Sequence, residues 1–229
     1  MKQVCIIIPV KDEETGVKFL FQDYQKCIMA KKYDISFIFV IDARTSDASR
    51  EASAKFGQLI INQSDTHGKG AAVRQALNSW NKNKTEFVIF MDADGSYSFS
   101  DVYKIIKSLE KGADVASGSR FLSNKLDSKE MGGLHFFGNR VLSKIASIKN
   151  RRKISDLCTG LWGFSSHSLS VMNIKSSGFD IEAEITGRCS KLNLKHREVA
   201  VNWNARKGGV SKLRSFRDGF IILIRILRT

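Results

Sequence analysis

The sequence predicts an α/β fold in which a mostly parallel central sheet is flanked by helices. Short apolar runs with the length of strands recur along the chain, and segments whose apolar residues have helical spacing lie between them. Such alternation is typical of parallel strands that are connected by helices. With 229 residues, 42% hydrophobic content, one proline and no low-complexity segment, the chain is expected to form one main domain around one core.

The first half of the chain contains three strand–helix units. The run VCIIIPV at residues 4–10 is apolar throughout, as expected of a strand that is buried on both faces, and apolar residues at helical spacing follow the charged residues 11–14. Further strands are expected at residues 37–42 and 59–62. The three helices are expected to end near residues 30, 56 and 80. Thr45 or Ser46 is expected to cap the start of the second helix.

The second half continues the pattern with more polar connections. We expect strands at residues 87–91, 115–119 and 196–203, and helices at residues 100–112, 134–148, within 178–192, and 215–229. Residues 156–164 (DLCTGLWGF) are expected to form a turn that enters an apolar segment. The apolar stripe of the helix at 134–148 consists of Phe137, Val141, Leu142, Ile145 and Ile148.

Two carboxylates, Asp92 and Asp94, directly follow the strand at 87–91, and Gly95 lets the chain turn there. Side chains alternate along an extended segment, so both carboxylates are expected on one side, where they could share a divalent cation. Oxygen ligands suit Mg²⁺ or Mn²⁺, and such ions commonly keep positions for substrate phosphates. The pattern predicts a metal and diphosphate site where open α/β sheets bind ligands, with a polar turn as the alternative.

Cationic residues are expected near the same edge of the sheet. The Gly-Lys-Gly at residues 68–70 precedes a helix, an arrangement whose amides can bind phosphate, although it lacks the P-loop spacing. Arg120 follows the strand at 115–119, and Arg140, near the start of the next helix, could meet a phosphate or stay in solvent. The basic, glycine-bearing segment 206–213 could order on an anion.

The chain carries a net charge of +14, and half of this excess lies from residue 195 onward, where nine Lys and Arg face two Asp and Glu. An anionic partner is expected: nucleic acid, anionic lipid or a phosphorylated substrate. Residues 215–229 predict a basic amphipathic helix of interfacial type. The alternative is a helix packed on the domain. Its apolar stripe is Phe216, Phe220, Leu223, Ile224 and Leu227, and its arginines are Arg214, Arg217, Arg225 and Arg228.

Four scattered cysteines without CxxC spacing indicate a reducing compartment. The apolar N-terminal run is too short and strand-like for a signal peptide, and no stretch approaches the roughly 18 apolar residues of a membrane span. We therefore expect a cytoplasmic protein that is at most peripheral, on the cytoplasmic face of a membrane.

A series of short motifs runs from residue 4 to residue 213: Ile8-Pro9-Val10 with Glu13, Val40-Ile41-Asp42 through Asp47, Gly68-Lys69-Gly70-Ala71, Asp92-Ala93-Asp94-Gly95, Gly118-Ser119-Arg120, Asn139-Arg140, Asp156 through Gly160, Gly178-Phe179 with Glu182 and Glu184, and Arg206 through Leu213. In content and order the series resembles family 2 glycosyltransferases of the GT-A fold, most closely the dolichyl- or polyprenyl-phosphate sugar synthases. The resemblance implies a GT-A domain at residues 1–213, which the basic amphipathic helix predicted above follows at residues 214–229.

The resemblance also implies an activity: inverting transfer of a hexosyl unit from a UDP- or GDP-sugar to a polyprenyl or dolichyl monophosphate, with Mg²⁺ or Mn²⁺. It implies metal ligation by Asp92, Asp94 and Ser96, where Ser96 replaces the glutamine common in mannose synthases. Acceptor-phosphate binding falls to Arg120 and Arg140, and catalysis to Asp94, Arg120, Arg140 and Lys212. The implied nucleotide-sugar contacts are Pro9, Lys11, Glu13, Ile41, Asp42, Lys69, Asp92, Ala93, Asp94, Arg120, Arg206 and Lys212.

Other functions remain open at this point. A family 2 enzyme acting on a sugar hydroxyl would need a carboxylate base, for which Asp156 and Glu184 are candidates. A nucleotidyltransferase normally needs a glycine-rich triphosphate loop directly after the first strand. That function is disfavoured because the loop here has no glycine until Gly16. A non-catalytic nucleic-acid-binding module is the distant alternative, and no nucleic-acid partner is expected, since aliphatic side chains rather than exposed aromatic ones alternate with the basic residues of the tail.

Overall fold

The computed structural model describes residues 1–56, 59–63, 67–123, 132–208 and 215–229. Its strands are β1 (Lys2–Val10), β2 (Tyr33–Asp42), β3 (Leu59–Gln63), β4 (Phe87–Met91), β5 (Val115–Ser119), β6 (Leu161–Ser165) and β7 (His196–Ala200). Its helices are α1 (Glu14–Lys26), α2 (Ser49–Ala54), α3 (Lys69–Ser79), α4 (Phe99–Glu110), α5 (Gly133–Asn150), α6 (Ser166–Val171), α7 (Ile181–Lys191) and α8 (Ser215–Arg228).

The described strands form one sheet in the order β3-β2-β1-β4-β6-β5-β7. All neighbouring pairs are parallel except those of β6, which lies antiparallel between β4 and β5. The predicted α/β class with a mostly parallel sheet is therefore confirmed. The sequence did not predict β6 as a strand, because a run as short as LWGFS has no periodicity that separates a strand from a buried turn or helix segment.

Strand β1 shows how the sheet is buried on both faces. Val4, Ile6 and Ile8 point into a core formed with α1 and α4, whereas Cys5 and Ile7 point into a second core formed with α3 and α7. This alternation follows from the period of two along a strand. Because both faces are covered by helices, ligands can reach the sheet only at its edges and at the ends of its strands.

Several helix boundaries differ from those predicted. Helix α1 ends at Lys26, and a 3-10 turn at Ile28–Lys31 follows it. Helix α2 begins at Ser49 after Ala48, so neither Thr45 nor Ser46 caps it. The predicted cap is wrong because the loop before α2 is held by other contacts: Asp47 Oδ1 accepts hydrogen bonds from the backbone N–H and the hydroxyl of Ser49.

Helix α5 turns a partly polar face toward the protein, and of its predicted apolar stripe Leu142 and Ile145 pack against a hydrophobic cluster. Asn139, Ser143 and Ala146 are buried, whereas Phe137 and Ile148 are 68% and 73% exposed. The polar side chains point inward because they accept hydrogen bonds from the backbone of the segment before β6. Ser143 Oγ accepts from Leu157 N at 2.9 Å, and Asn139 Oδ1 from Cys158 N at 3.1 Å.

Helix α8 packs on the domain through a narrow face. Ile222 and Ile226 are buried against residues of α5 and α7, and Arg225 pairs with Asp180 at 2.7 Å. Most of the predicted apolar stripe remains exposed, with Phe216 and Phe220 82% and 64% accessible to solvent. The alternative of a helix packed on the domain is therefore confirmed for this face, and the interfacial interpretation stays a prediction.

Across the residues the structure describes, no helix is both long enough and apolar enough to cross a membrane.

Candidate active site

One cavity of about 820 Å³ opens at the carboxyl ends of the parallel strands. The ends of β1, β2 and β4, the start of α3, and residues from α5, α7 and α8 line it. Most side chains that the sequence assigned to the nucleotide sugar or the metal lie here: Pro9, Lys11, Glu13, Asp42, Lys69, Asp92, Ala93, Asp94, Ser96, Arg120 and Arg206.

At the centre of this cavity, Lys69 is held between two carboxylates. Its ammonium lies 2.6 Å from Asp92 Oδ1 and 2.7 Å from Glu182 Oε1. Burial lowers the pKa of Lys69, but Asp92 and Glu182 outweigh burial and the net pKa is raised. Burial raises the pKa of Glu182. Asp92 fits against the chain because residue 160 is glycine, where a Cβ would lie 1.9 Å from Asp92 Oδ2.

The neighbouring carboxylate, Asp94, is oriented by its own turn and by an arginine from a distant part of the sequence. Asp94 Oδ1 accepts hydrogen bonds from the N–H and hydroxyl of Ser96, at 2.9 and 2.6 Å. Arg206 Nη2 lies 3.1 Å from Asp94 Oδ2, while Arg206 Nη1 donates to Glu13. Burial lowers the pKa of Arg206, but Asp94 and Glu13 outweigh it and the net pKa is raised.

The segment that carries Arg206 is attached to the same turn by backbone hydrogen bonds. Asn204 N donates to Ser96 O, and Lys207 N donates to Asp94 O, both at 3.0 Å. The arginine is thus positioned by the strand end that it faces. Lys212, which the sequence placed on the same segment, lies outside the described residues.

Asp92 and Asp94 suit a divalent cation by their chemistry. Both supply carboxylate oxygens to one cavity, at the end of one strand. Within the described part of the chain, no group of three or more His, Cys, Asp and Glu side chains is arranged to hold a metal. The two carboxylates supply the oxygen ligands that Mg²⁺ or Mn²⁺ prefers. Ser96, the third predicted ligand, is buried, and its hydroxyl donates to Asp94 Oδ1.

Asp42 ends β2 at another wall of the cavity. Arg44 holds its carboxylate on both oxygens, at 2.9 and 2.8 Å, and these bonds lower the pKa of Asp42 to about 2. Ile41, its neighbour, points into the core on the other face of the sheet and does not line the cavity. The reason is strand alternation, which turns consecutive side chains to opposite faces.

Arg120 enters the cavity from a buried network. Its guanidinium pairs with both oxygens of Asp156, each at 2.7 Å, and donates to the carbonyl of Cys158. Asn139 donates to Asp156 Oδ1 at 2.6 Å. Burial lowers the pKa of Arg120, but Asp156 outweighs it and the net pKa is raised. Asp156 is 1% exposed and acts here as the carboxylate that orients Arg120.

Arg140 and Glu184 lie apart from the cavity lining. The guanidinium of Arg140 is 5.7 Å from the ring centre of Phe121 and 5.9 Å from that of Phe136. Glu184 accepts hydrogen bonds from the backbone N–H groups of Lys175 and Ser176 and is therefore a partner of the loop before α7. The structure thus brings neither residue to the cavity.

The turn at residues 68–70 serves a different purpose from the one predicted. The amides of Gly70 and Ala71 donate to the carbonyls of Gly178 and Ser177, so the prediction of a phosphate-binding turn is wrong for the Gly70 amide. A Cβ on Gly70 would lie 2.4 Å from Ser176 O. The glycines permit this close backbone contact, and only the Lys69 side chain of the turn is directed to the carboxylates in the cavity.

Sequence reasoning missed two parts of the cavity. The first is Glu182, which was recognised within a motif but not assigned a role; its position next to Lys69 depends on how α7 is oriented. The second is an apolar wall that α5 and α8 contribute through Leu134, Phe137, Val141 and Phe216. The exposed apolar stripes of both helices were visible in the sequence, but their meeting beside the carboxylates was not.

The mostly parallel sheet flanked by helices is the fold of GT-A glycosyltransferases of known structure. Structures of glucosyl-3-phosphoglycerate synthase from Mycobacterium tuberculosis share the fold. A complex with Mn²⁺, UDP and glucosyl-3-phosphoglycerate superposes with a TM-score of 0.73 over 99% of this chain and 79% of that one, at 12% identity. A mycobacterial protein superposes with a TM-score of 0.74 at 14% identity.

The chain belongs to glycosyl transferase family 2, whose model matches residues 5–171. Glycosyltransferase AglJ of Haloferax volcanii is 29% identical over 226 residues, which cover 98% of this chain and 71% of AglJ. Dolichol-phosphate mannosyltransferase of Pyrococcus furiosus is 26% identical, and the match covers 93% of this chain and 59% of that enzyme. Dolichyl-phosphate beta-glucosyltransferase of Mus musculus is 26% identical, with 94% and 71% covered.

Proposed function

We propose that the protein transfers a hexosyl unit, with inversion, from a UDP- or GDP-sugar to a polyprenyl or dolichyl monophosphate. One observation carries the proposal: a single cavity joins the carboxylates Asp92 and Asp94 to an apolar wall from α5 and α8. A nucleotide diphosphate with its cation needs the first part, and an acceptor with a hydrocarbon chain needs the second. The similarity to enzymes named for dolichyl phosphate is in keeping with this acceptor.

The donor would bind at the strand ends. Pro9, Lys11 and Asp42 are proposed to contact the nucleoside, and Asp92 and Asp94 to hold the divalent cation. A bound cation of this kind supplies charge stabilisation for the departing nucleoside diphosphate. Arg206 would transfer its contacts from Asp94 and Glu13 to the diphosphate, since a phosphate oxygen is an equally good bidentate partner of a guanidinium.

The acceptor would react without a strong base. A phosphate monoester has a second pKa of about 6, so its oxygen is largely ionised at neutral pH. This oxygen forms the new bond to the anomeric carbon while the bond from that carbon to the diphosphate breaks. Arg120 and Lys69 would offset the repulsion between acceptor and donor charges. Their fixed positions, held by Asp156 and Glu182, supply the preorganisation that makes such stabilisation effective.

Helix α8 is proposed to place the enzyme on the cytoplasmic face of a membrane. Phe216, Phe220 and Leu227 are exposed on it, and Arg217 and Arg228 are exposed alongside them. Apolar side chains that enter the headgroup region and arginines that meet anionic lipids are the two contributions to interfacial binding.

The test is a partition assay. Purified protein, Mg²⁺ or Mn²⁺, a polyprenyl phosphate and a panel of labelled UDP- and GDP-sugars are combined, and label that moves into organic solvent is counted. Lipid-extractable label from one donor, lost with a chelator, is the expected result and would name the sugar. Absence of lipid label with every donor, while nucleotide binding is measurable, would contradict the proposed acceptor.

A second candidate is transfer to a sugar hydroxyl, which requires a carboxylate base. The position of Glu182 favours it, because this carboxylate lines the cavity whereas Asp156 and Glu184 do not. For this reaction Glu182→Gln would abolish transfer to the hydroxyl. For a phosphate acceptor the same variant would lose activity only through the altered position of Lys69.

A further inference from the structure

The cavity continues from the carboxylates into an apolar groove between α5 and α8, which we call the α5–α8 groove. Its walls are Leu134, Phe137, Gly138 and Val141 of α5, and Phe216 and Gly219 of α8. Leu142 and Ile222 close its deep side, where the two helices pack in one hydrophobic cluster. From Leu134 to Leu142 the groove runs along two turns of α5, about 12 Å at the rise of an α-helix.

We propose that the α5–α8 groove admits the first isoprenoid units of the acceptor lipid, and that Gly138 and Gly219 determine this by leaving the groove open. The inference rests on the proposed function and adds to it the path of the hydrocarbon chain and the residues that select for it.

The distribution of charge favours an anionic amphiphile as the occupant. The apolar walls lead to the end of the cavity that contains Arg120 and Lys69, both directed there by buried carboxylates. Helix α5 contains no acidic residue, and α8 contains one, Asp218. A hydrocarbon chain in the groove therefore places a phosphate among the cations, whereas a polar or acidic peptide would have to bury charge against apolar walls.

Gly138 and Gly219 differ from other cavity glycines in having open space where a side chain would lie. A Cβ added to either residue would meet no atom within 4 Å, although both residues line the cavity. At Gly70 and Gly160 an added Cβ would collide with neighbouring atoms at 2.4 and 1.9 Å. Glycine within a helix is less favourable than alanine, so helix stability does not explain the two positions. A larger side chain at either one would project into the groove without displacing the protein.

The helix also offers a matched control. Gly133 is the first residue of α5, is exposed, and has equally open surroundings, but it is not part of the cavity wall. Gly133→Leu therefore adds the same side chain to the same helix outside the groove. Because all three substitutions replace glycine by a good helix former in open space, loss of folding is not expected from any of them.

The first experiment measures binding without turnover. A fluorescent polyprenyl phosphate is titrated into the full chain without a sugar donor, for the wild type, Gly138→Leu, Gly219→Leu and Gly133→Leu. We expect Kd to rise about tenfold or more for the two groove variants, as several methylene groups lose their apolar contacts, and to stay near the wild-type value for Gly133→Leu. Equal Kd values for all four proteins would overturn the proposal that the α5–α8 groove binds the lipid.

The second experiment compares a short acceptor, geranyl phosphate, with a long polyprenyl phosphate in the transfer assay. The groove predicts that the ratio of kcat/KM for the long acceptor over the short one falls about tenfold in Gly138→Leu and Gly219→Leu relative to Gly133→Leu. Transfer to both acceptors with an unchanged ratio would overturn the groove while supporting the proposed function. Groove-dependent binding without any transfer would overturn the function and support the groove. A change of oligomeric state in the groove variants, measured by light scattering, would instead assign this face to a second copy and overturn the proposal.

Discussion

The ammonium of Lys69 lies 2.6 Å from Oδ1 of Asp92, so a protein cation is held against a carboxylate that we propose as a metal ligand. Asp94, the second proposed ligand, faces Arg206 in the same way. Both carboxylates are therefore kept in place by cations of the chain itself. The consequences of this arrangement can be measured without knowing the substrate.

Replacement of Lys69 by methionine is expected to destabilise the protein by about 3 kcal/mol, because it leaves Asp92 and the buried Glu182 as unpaired carboxylates. Adding Glu182→Gln to Lys69→Met should recover part of the loss. Because burial raises the pKa of Glu182, the single variant should regain stability as the pH is lowered and Glu182 takes up a proton. Urea unfolding of the wild type, Lys69→Met, Glu182→Gln and the double variant measures the effect. Equal midpoints for the wild type and Lys69→Met would contradict it.

The opposite charges around Asp94 predict opposite effects on cation binding. Asp94→Asn should weaken Mn²⁺ binding about tenfold or more, whereas Arg206→Ala should strengthen it several-fold, because the guanidinium 3.1 Å from Asp94 no longer competes. Mn²⁺ titrations followed by electron paramagnetic resonance measure both without donor or acceptor. Asp34→Asn, a change at an exposed residue of β2, is the control. Weaker Mn²⁺ binding by Arg206→Ala would show that the arginine supports the ion instead of competing with it.

For transfer itself, both Asp94→Asn and Arg206→Ala should be slower, the first by about a hundredfold or more. The melting temperature should remain close to that of the wild type in Asp94→Asn, since the turn keeps its backbone hydrogen bonds. Near wild-type turnover of Asp94→Asn would contradict the proposal that Asp94 is a metal ligand.

The pair Asp42–Arg44 predicts a pH effect. Hydrogen bonds from Arg44 lower the pKa of Asp42 to about 2, so the ionised carboxylate stabilises the folded state above the ordinary pKa of aspartate. That contribution is lost as the pH falls through about 2. Arg44→Gln should raise the pKa of Asp42 toward the ordinary value and shift acid unfolding to higher pH. Carboxyl NMR titration checks the shift against Arg50→Gln, a change at an exposed arginine of α2; the same Asp42 pKa in both variants would argue against the assigned cause.

The exposed side of α8 can be tested without unseating the helix. Phe220→Ser with Leu227→Ser should weaken binding to vesicles of anionic lipid, whereas stability should change little because both residues are more than half exposed. Ile28→Ser removes an aliphatic residue of similar exposure elsewhere on the surface and serves as the control. Sedimentation with vesicles at low and high salt provides the measurement. If the double variant and the control sediment alike, the membrane proposal for this helix is wrong.

Much of the architecture followed from local patterns. The continuous apolar runs of β1, β2 and β4 identified buried strands, and their order with the helices identified the mostly parallel sheet. Asp92 and Asp94 were located at the end of β4 for the same reason, since a carboxylate that follows a buried strand must leave the core. Strand β6 was missed because five residues are too few to show a period.

The orientation of helices was less accessible. The stripe of α5 from Phe137 to Ile148 suggested a face for the core, yet Asn139 and Ser143 are buried and Phe137 and Ile148 are exposed, because backbone N–H groups of the segment before β6 need acceptors there. Glu182 and Glu184 were indistinguishable in sequence, two residues apart in the first turn of α7. Only the packing of α7 directs Glu182 to Lys69 and Glu184 to the backbone of the preceding loop.

The strand–helix order, the acidic end of β4 and the basic character of the tail could be predicted from local patterns and composition, because they depend on residues close in the chain. The packing of distant segments decided which cation faces which carboxylate, since Arg206 reaches Glu13, 193 positions away. It also decided that α5 and α8 meet beside those carboxylates. Such contacts join distant segments, and their partners are chosen by the packing of whole helices on the sheet rather than by the pattern within any one of them.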